Sequence, residues 1–245
     1  MEIIEQAPLK LVMRMPANDS LANAIRRSVN EIPILAVDEV EIYKNDSALY
    51  DEFLAHRVGL VPLKTEASMN EKTEIEMKLS KAGPCMVLAE DLKGGAEIVH
   101  ASVPITLLEE DQELELVATA RLGTAIEHEK YLSGLCYYRR LSEINSKNPA
   151  VIHLIEDSRG LIVPEKHKEG WICDLSEHIA QEVEKIDASC IKDSDEMVFV
   201  IESYGQMAAK DMLLKALRAL GQNLDHFEKV VALLRGDAGV VKRAW

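Results

Sequence analysis

The side chains best suited to metal or redox chemistry lie in the last third of the sequence, where Cys173 and Cys190 are accompanied by His167 and His178. Thiolates and imidazoles are the usual protein ligands of zinc. Such ligands commonly come in close pairs such as C-x-x-C, because two ligands from one tight turn reduce the loop closure that a site needs. These four residues contain no such pair. Two hypotheses stay open: a metal- or redox-binding module in the Cys173/Cys190 region, and half-buried thiols with surface imidazoles.

A second pair, His56 and Arg57, could act as an acid and a base, but a histidine that makes a polar contact at a helix end fits the sequence as well. The chain has no G-x-S-x-G elbow, no G-x-x-x-x-G-K-[ST] phosphate loop, no G-x-G-x-x-G fingerprint and no H-E-x-x-H pair. Its carboxylates are numerous, and none stands out from an acidic surface. The sequence therefore favours an interaction protein over an enzyme.

The composition is typical of a globular chain with an acidic surface. The chain has 245 residues, 47% of them hydrophobic, which is enough for a sizeable core. The formal net charge of −14 repels a phosphate backbone, so we expect no direct contact with nucleic acid. No apolar run approaches the roughly 18 residues that a membrane span needs, and the N-terminus lacks a secretory pattern. The four cysteines form no paired framework, so we expect a cytoplasmic protein.

The first predicted helix carries two adjacent arginines. Ser20 is the predicted N-cap, apolar residues recur at helical spacing through residues 21–32, and Pro33 ends the helix. Arg26 and Arg27 point about 100° apart around the helix axis, so at least one of them leaves the apolar stripe. They are either a solvated basic pair or a contact to a neighbouring molecule.

The middle of the chain favours strands. Residues 35–43 are predicted to form a strand from their β-branched content, because both alternating faces mix apolar and polar residues. Ser47 is the predicted cap of a helix over residues 48–58. Beyond it, segments such as 74–79 alternate apolar and polar residues, which is typical of a strand with one solvated face. We therefore expect a mostly antiparallel β domain over residues 40–143.

The last long helix carries a heptad seam that is sustained over three repeats. Its apolar residues are Leu213, Leu217, Leu220, Leu224, Phe227, Val231 and Leu234. One helix cannot bury such a stripe alone, so the seam packs either inside its own domain or against a second chain. The short first helix, with its narrow stripe, favours the second chain. Gly221 interrupts this helix at a cost of about 1 kcal/mol relative to alanine, and it is suited to the close approach of another backbone.

Four motifs occur in order along the chain. They are the N-A-x-R-R helix from Asn23 to Arg27, the A-H-R-x-G-L-x-P-L run from Ala55 to Leu63, the segment Gln112–Lys130, and F-V-I-E-S-Y-G from Phe199 to Gly205. Together they closely resemble the D family of archaeal RNA polymerase subunits, which is related to the third subunit of the eukaryotic enzymes and to the N-terminal domain of the bacterial alpha subunit. The unmatched part is chiefly residues 145–195.

The resemblance implies an α+β fold in three parts. A discontinuous dimerisation domain, with strands and two packed helices, would comprise residues 1–39 and 196–245. A mostly antiparallel β domain would be inserted between them at residues 40–143. Residues 144–195 would form a small third subdomain, a degenerate ferredoxin-like remnant that lacks cluster ligands.

The resemblance also implies a non-catalytic assembly-platform subunit of a multisubunit DNA-dependent RNA polymerase. The chain would form a heterodimer with the small subunit L, contact further small subunits and dock the two large catalytic subunits, with no nucleic-acid or membrane contact. The heterodimer interface would contain Ile25, Val29 and the seven residues of the heptad seam. Docking of the large subunits would use basic side chains: Arg26, Arg27, His56, Arg57, Arg121, His128 and Lys130.

The sequence departs from the family pattern in two places. Many archaeal members hold iron–sulfur clusters in the third domain with closely spaced cysteines, and eukaryotic relatives hold zinc with cysteine pairs. This chain has no such cysteine spacing, so we expect neither an iron–sulfur cluster nor zinc. At residues 129–134, relatives often have A-K-W/F-x-P; Tyr131 keeps an aromatic side chain there, but the proline is missing.

Overall fold

The computed structural model describes residues 1–167 and 170–234. The elements of these residues are, in chain order, β1 (Glu2–Gln6), β2 (Lys10–Pro16), α1 (Asp19–Ser28), β3 (Ile34–Asn45), α2 (Asp51–Gly59), β4 (Glu74–Ala82), β5 (Cys85–Leu88), β6 (Lys93–Gly94), β7 (Pro104–Leu108), β8 (Glu113–Gly123), β9 (Gly134–Ile144), α3 (Pro149–Glu156), β10 (Glu165–His167), β11 (Gly170–Cys173), α4 (Glu177–Ile186), β12 (Ile191–Ser203) and α5 (Ala209–Leu234). Helices accompany antiparallel strand pairs, so the predicted α+β class is confirmed. Residues 235–245 of the predicted dimerisation domain lie outside the described residues.

The chain divides into two compact units. The first contains Met1–Arg26 and Leu135–Glu202, and the second contains Arg27–Gly134 and the chain from Ser203 onward. The predicted residues 144–195 fall within the first unit. The three domains that the sequence predicts, with their boundaries, stay a prediction.

The first unit contains a six-stranded sheet in the order β1-β2-β12-β9-β11-β10. The strand β12 lies inside the sheet and pairs antiparallel with β2, from Glu196 opposite Pro16 to Glu202 opposite Lys10. Residues 197–201 are buried, as expected for a strand that begins with an unbroken apolar run. The central position predicted for this strand is confirmed, although the strand begins earlier than predicted.

The second unit contains a four-stranded sheet in the order β3-β8-β4-β6 and a two-stranded sheet of β5 and β7. The long pairing of β3 with β8 is antiparallel and runs from Ile34 opposite Gly123 to Asn45 opposite Leu114. Leu54 of α2 belongs to the apolar core of this unit. Three of the seven residues of the predicted docking surface lie on these elements: His56 and Arg57 on α2, and Arg121 on β8.

The predicted N-cap of the first helix is wrong by two residues. Helix α1 begins at Asp19, and Ser20 lies inside it. The Oδ1 atom of Asn18 accepts a hydrogen bond from the Leu21 N–H at 3.0 Å. Asparagine therefore caps this helix, since its side chain reaches the free N–H groups of the first turn.

The predicted start of the second helix is also wrong. Ser47 does not cap it, because the Oδ1 atom of Asn45 accepts hydrogen bonds from both the N–H and the hydroxyl of Ser47, at 3.0 and 2.7 Å. The side chain of Asn45 also donates to Asp51, at 2.8 Å. This local network forms a turn, so α2 begins only at Asp51.

The residues that helix α5 buries in its own unit all lie in its first half. Ala209, Met212 and Ala216 are buried, and the side chain of Asn223 donates a hydrogen bond to Glu31 at 2.7 Å. Residues 222–230 are all exposed. Among the described residues, no helix has both the length and the apolar character to cross a bilayer.

Candidate docking surfaces

The centre of the first candidate surface is a carboxylate, Asp38, in the middle of β3. The pairing of β3 with β8 shifts there, because Val37 lies opposite Ala120 whereas Glu39 lies opposite Thr119. Asp38 is thus the extra residue of a β-bulge. A bulge turns a side chain away from the regular alternation of a strand, and here it directs the carboxylate toward basic residues of the following segments.

Three side chains donate hydrogen bonds to Asp38. The Arg121 Nε lies 2.5 Å from Oδ2, while the Lys130 Nζ and the Tyr131 hydroxyl lie 2.7 and 3.0 Å from Oδ1. Burial raises the pKa of Asp38, but these three bonds outweigh it and hold the pKa well below its ordinary value of 3.8. Burial and the bond to Asp38 raise the pKa of Tyr131 to about 12. The cluster therefore holds a fixed carboxylate between two cations.

The same cluster borders a cleft of about 130 Å³. His56 from α2 lines one side of it, and His128 and Lys130 line another. The backbone N–H of Lys130 donates to the His128 Nδ1 at 3.1 Å, which fixes the imidazole ring at the rim. With Arg121, the structure brings together four of the seven residues of the predicted docking surface.

Arg57 holds α2 against β7. Its Nη1 donates a hydrogen bond to the Ile105 carbonyl oxygen at 2.6 Å, which ties the helix to a strand of the two-stranded sheet. The rest of the side chain is exposed enough for another contact. Arg57 is therefore both a structural link and a surface cation.

The two arginines of α1 differ in their surroundings. Arg26 is half-buried and donates through Nη2 to the Asn23 Oδ1 at 2.9 Å, one helical turn earlier. Arg27 is exposed. The asparagine and the first arginine of the N-A-x-R-R motif thus form a local pair, whereas the second arginine extends into solvent.

Gly123 is needed for the position of Tyr131. A Cβ atom at Gly123 would lie 2.5 Å from Cζ of the Tyr131 ring, so no larger residue fits there without moving the ring. The ring is buried and its hydroxyl reaches Asp38. The glycine therefore helps to place one of the three donors of the cluster.

The sequence did not identify Asp38 as a site residue. One signal was available: the adjacent acids Asp38 and Glu39 lie within a segment that is otherwise rich in β-branched residues. Aspartate is depleted in strands, so Asp38 was an unusual residue for this position. The partners of the carboxylate come from about 80 or more residues away along the chain, and the sequence pattern could not identify them.

The second candidate surface is the apolar face of α5. Within the described chain, Leu217, Leu224 and Phe227 are 42%, 60% and 66% exposed. Leu234 is exposed as well, and Leu213, Leu220 and Val231 are half-buried. Large apolar side chains that line one helix face and remain accessible to water are typical of an interaction site.

Ile25 and Val29 were predicted in the same interface as the heptad seam. The structure buries both of them within the chain, with 5% and 2% exposure. Little of either side chain remains for contact with another molecule. The assignment of both residues to the interface stays a prediction.

The predicted metal alternative has little support in the structure. Cys173 and Cys190 belong to one apolar cluster with Ile144 and Val183, and burial raises the pKa of the Cys173 thiol to about 12. Burial also raises the pKa of Cys190. Among the described residues, no group of three or more Cys, His, Asp or Glu side chains is arranged to hold a metal ion.

Comparison with known proteins identifies the family. Residues 32–136 match the family described as "RNA polymerase Rpb3/RpoA insert domain". The DNA-directed RNA polymerase subunit Rpo3 of Pyrococcus horikoshii is 32% identical over 236 residues, covering 89% of this chain and 91% of the relative. The Rpo3 subunits of Thermococcus kodakarensis and Archaeoglobus fulgidus are 31% and 29% identical, over 92% and 94% of this chain and 95% and 97% of the relatives. The chain therefore belongs to the Rpo3 family of DNA-directed RNA polymerase subunits.

Proposed function

We propose that the chain is an assembly-platform subunit of a multisubunit DNA-dependent RNA polymerase. Its relatives are named as polymerase subunits, and the similarity extends over nearly the whole chain. The observation that carries the proposal is the exposed apolar face of α5, because a chain that works alone gains nothing from leaving it uncovered. We propose the cytoplasm as its location.

The partner that covers the seam is the small polymerase subunit L, which forms a one-to-one heterodimer with this chain. Burying large apolar side chains such as Leu224 and Phe227 contributes about 1.5–3 kcal/mol each before the costs of association are subtracted. The exposed second half of α5 offers a continuous helix face to another helix. An apolar helix face of this length is suited to a lasting subunit contact rather than a transient one.

The Asp38 cluster belongs to the surface that docks a large catalytic subunit. His56, Arg121, His128 and Lys130 lie around one carboxylate, and the cleft between them is open to an acidic or hydrogen-bonding side chain. Asp38 holds Arg121 and Lys130 in place before the partner arrives, so less side-chain entropy is lost on binding. Arg26, Arg27 and Arg57 are further contacts of the large subunits, and additional small subunits assemble on the same platform.

The chain contributes no catalytic residue, binds no cofactor and does not touch nucleic acid directly. The net charge of −14 opposes contact with a phosphate backbone. The four basic residues around Asp38 are individual contacts on an acidic protein rather than a basic stripe that could follow a nucleic-acid strand. The role of the chain is to bring the other subunits together.

Co-expression with subunit L tests the heterodimer. We expect one stable species whose mass, measured by native mass spectrometry, equals one copy of each chain. The reason is that the seam leaves large apolar side chains in water when the chain is alone. A chain that stays monomeric and well folded beside an excess of subunit L would contradict the proposal.

Purification without oxygen tests the absence of a cofactor. We expect a colourless protein with less than about one-tenth of a zinc or iron atom per chain, because Cys173 and Cys190 lie in an apolar cluster and the described residues contain no group of side chains arranged to hold a metal. Elemental analysis and visible absorbance provide the two measurements. Stoichiometric metal that disappears in a Cys173→Ser/Cys190→Ser variant would restore the metal-module alternative.

A further inference from the structure

Gly221 lies at a position where the contacts of the described chain do not require a glycine. It lies inside α5, and glycine is among the least favourable residues in a helix interior. Other glycines are required by contacts within the chain: a Cβ at Gly123 would meet the Tyr131 ring, and one at Gly94 would meet the backbone of Met77. At Gly221, apart from its two chain neighbours and the adjacent backbone of the same helix, no atom of the described chain lies within 4 Å of such a Cβ.

The backbone conformation does not require this glycine either. Gly205 is the glycine with positive φ in the described chain, whereas Gly221 has the ordinary geometry of a helix. Any L-residue could adopt the Gly221 conformation. Neither the packing nor the backbone of this chain therefore accounts for the missing side chain.

The residues next to Gly221 on the same helix face suggest why a side chain is missing there. Leu217 lies four residues before it and Leu224 three residues after it, so the three residues share one face of the helix. Leu217 is 42% exposed and Leu224 is 60% exposed. The glycine thus forms a notch in the exposed apolar face, with a large side chain above it and another below it.

We infer that Gly221 marks the crossing point at which the partner's helix lies directly against the backbone of α5. Helix axes usually stay 8–10 Å apart because side chains separate them, and a missing Cβ allows a closer approach. Close approach also permits weak Cα–H···O contacts between the two backbones. Leu217 and Leu224 then pack on either side of the crossing helix. The inference rests on the proposed function, since it locates the contact within the same seam.

The occupant is a helix with an apolar stripe of its own, carried by subunit L. The exposed leucines flanking the notch exclude a polar ligand, because burying them against polar groups would leave those groups without hydrogen bonds. The notch is continuous with the heptad seam that extends to Leu234, and a helix is the structure whose side chains match this spacing over three repeats.

The test is a graded series, Gly221→Ala and Gly221→Leu, with the full chain titrated with subunit L by calorimetry. We expect the Kd to rise at least about tenfold for alanine and further for leucine, since even one methyl group overpacks a close backbone contact. Thermal unfolding of the isolated chain should occur at the same or a higher temperature, because both residues favour the helix more than glycine does. Lys229→Ala, at an exposed position away from the seam, should leave the Kd unchanged.

Two outcomes would overturn the inference. Wild-type or tighter binding by Gly221→Ala would mean that no backbone approaches the notch, and a lower unfolding temperature of the isolated variant would mean that the chain's own fold needs the glycine. Titration of Phe227→Asp in parallel separates the inference from the proposed function. If Phe227→Asp abolishes binding while Gly221→Ala does not affect it, the crossing point alone is wrong; if neither affects it, the heterodimer through α5 is wrong.

Discussion

Phe227→Asp should abolish binding of subunit L while leaving the isolated chain folded. The ring is 66% exposed in the chain, so the fold loses little when a carboxylate replaces it. In the complex the same carboxylate would be buried in an apolar interface without a partner. A large aromatic residue at the centre of an interface contributes about 2–4 kcal/mol, so we expect the Kd to rise on the order of 100-fold or more.

The measurement is a titration of each variant with subunit L, accompanied by thermal unfolding of the isolated chain. Gln222→Asp is the matched control, because it places the same carboxylate on the opposite side of the same helix, at an exposed position. It should bind like the wild type. If Phe227→Asp binds subunit L with unchanged affinity, the heptad seam is not part of the interface.

Leu220→Glu should also abolish the complex, but it is a less selective test. Leu220 is half-buried in the chain itself, so a glutamate there would lower the stability of the isolated chain as well. Phe227 lies in the part of α5 that is not covered by its own unit. The difference between the two positions was not visible in the heptad pattern, which treats them as equivalent.

The sequence predicted those features of the fold that depend on regular spacing. The heptad intervals identified the apolar face of α5, and the unbroken apolar run identified β12 as a strand inside a sheet. Both patterns reflect burial along one regular element, which a single sequence contains in full. The ordered motifs identified the family, and the relatives confirm it.

The features that the sequence missed depend on single side chains and on contacts between distant segments. The turn held by Asn45 delays the start of α2 to Asp51, and Asn18 replaces Ser20 as the cap of α1. Several oxygen-bearing residues compete for each cap, and their order of preference differs by only about a few tenths of a kcal/mol. The bulge at Asp38 depends on the register with β8, which no local pattern specifies.

Asp38→Asn should destabilise the second unit and weaken docking of the large subunit. Asparagine keeps the shape of the side chain but removes its charge, and its NH₂ group would face a donor, either Arg121 or Lys130. Lys130 is only 13% exposed at its side chain, so its charge would lose its partner in a poorly solvated place. Hydrogen bonds to charged groups contribute about 1.5–3 kcal/mol, so we expect a loss of about 2 kcal/mol in the free energy of unfolding.

The control for this variant is Glu127→Gln. Glu127 also contacts Arg121, at 3.7 Å, but its side chain is 49% exposed, and an exposed ion pair contributes at most about 1 kcal/mol. Urea unfolding at neutral pH should therefore separate the two variants clearly. Equal effects of both would mean that the carboxylate of Asp38 is no more important than an ordinary surface charge.

The pH dependence of the Asp38→Asn variant provides a second and independent measurement. The folded chain holds the pKa of Asp38 below the value of 3.8 that it has when unfolded, so its ionised form stabilises the fold at every pH above that value. As the pH falls below 3.8 the unfolded chain takes up the proton first, and the stabilisation is progressively lost. The difference in unfolding free energy between the wild type and Asp38→Asn should therefore be constant from neutral pH to about pH 5 and shrink below pH 3.8. A difference that persisted unchanged at pH 2 would mean that the shape of the side chain, rather than its charge, holds Arg121 and Lys130 in place.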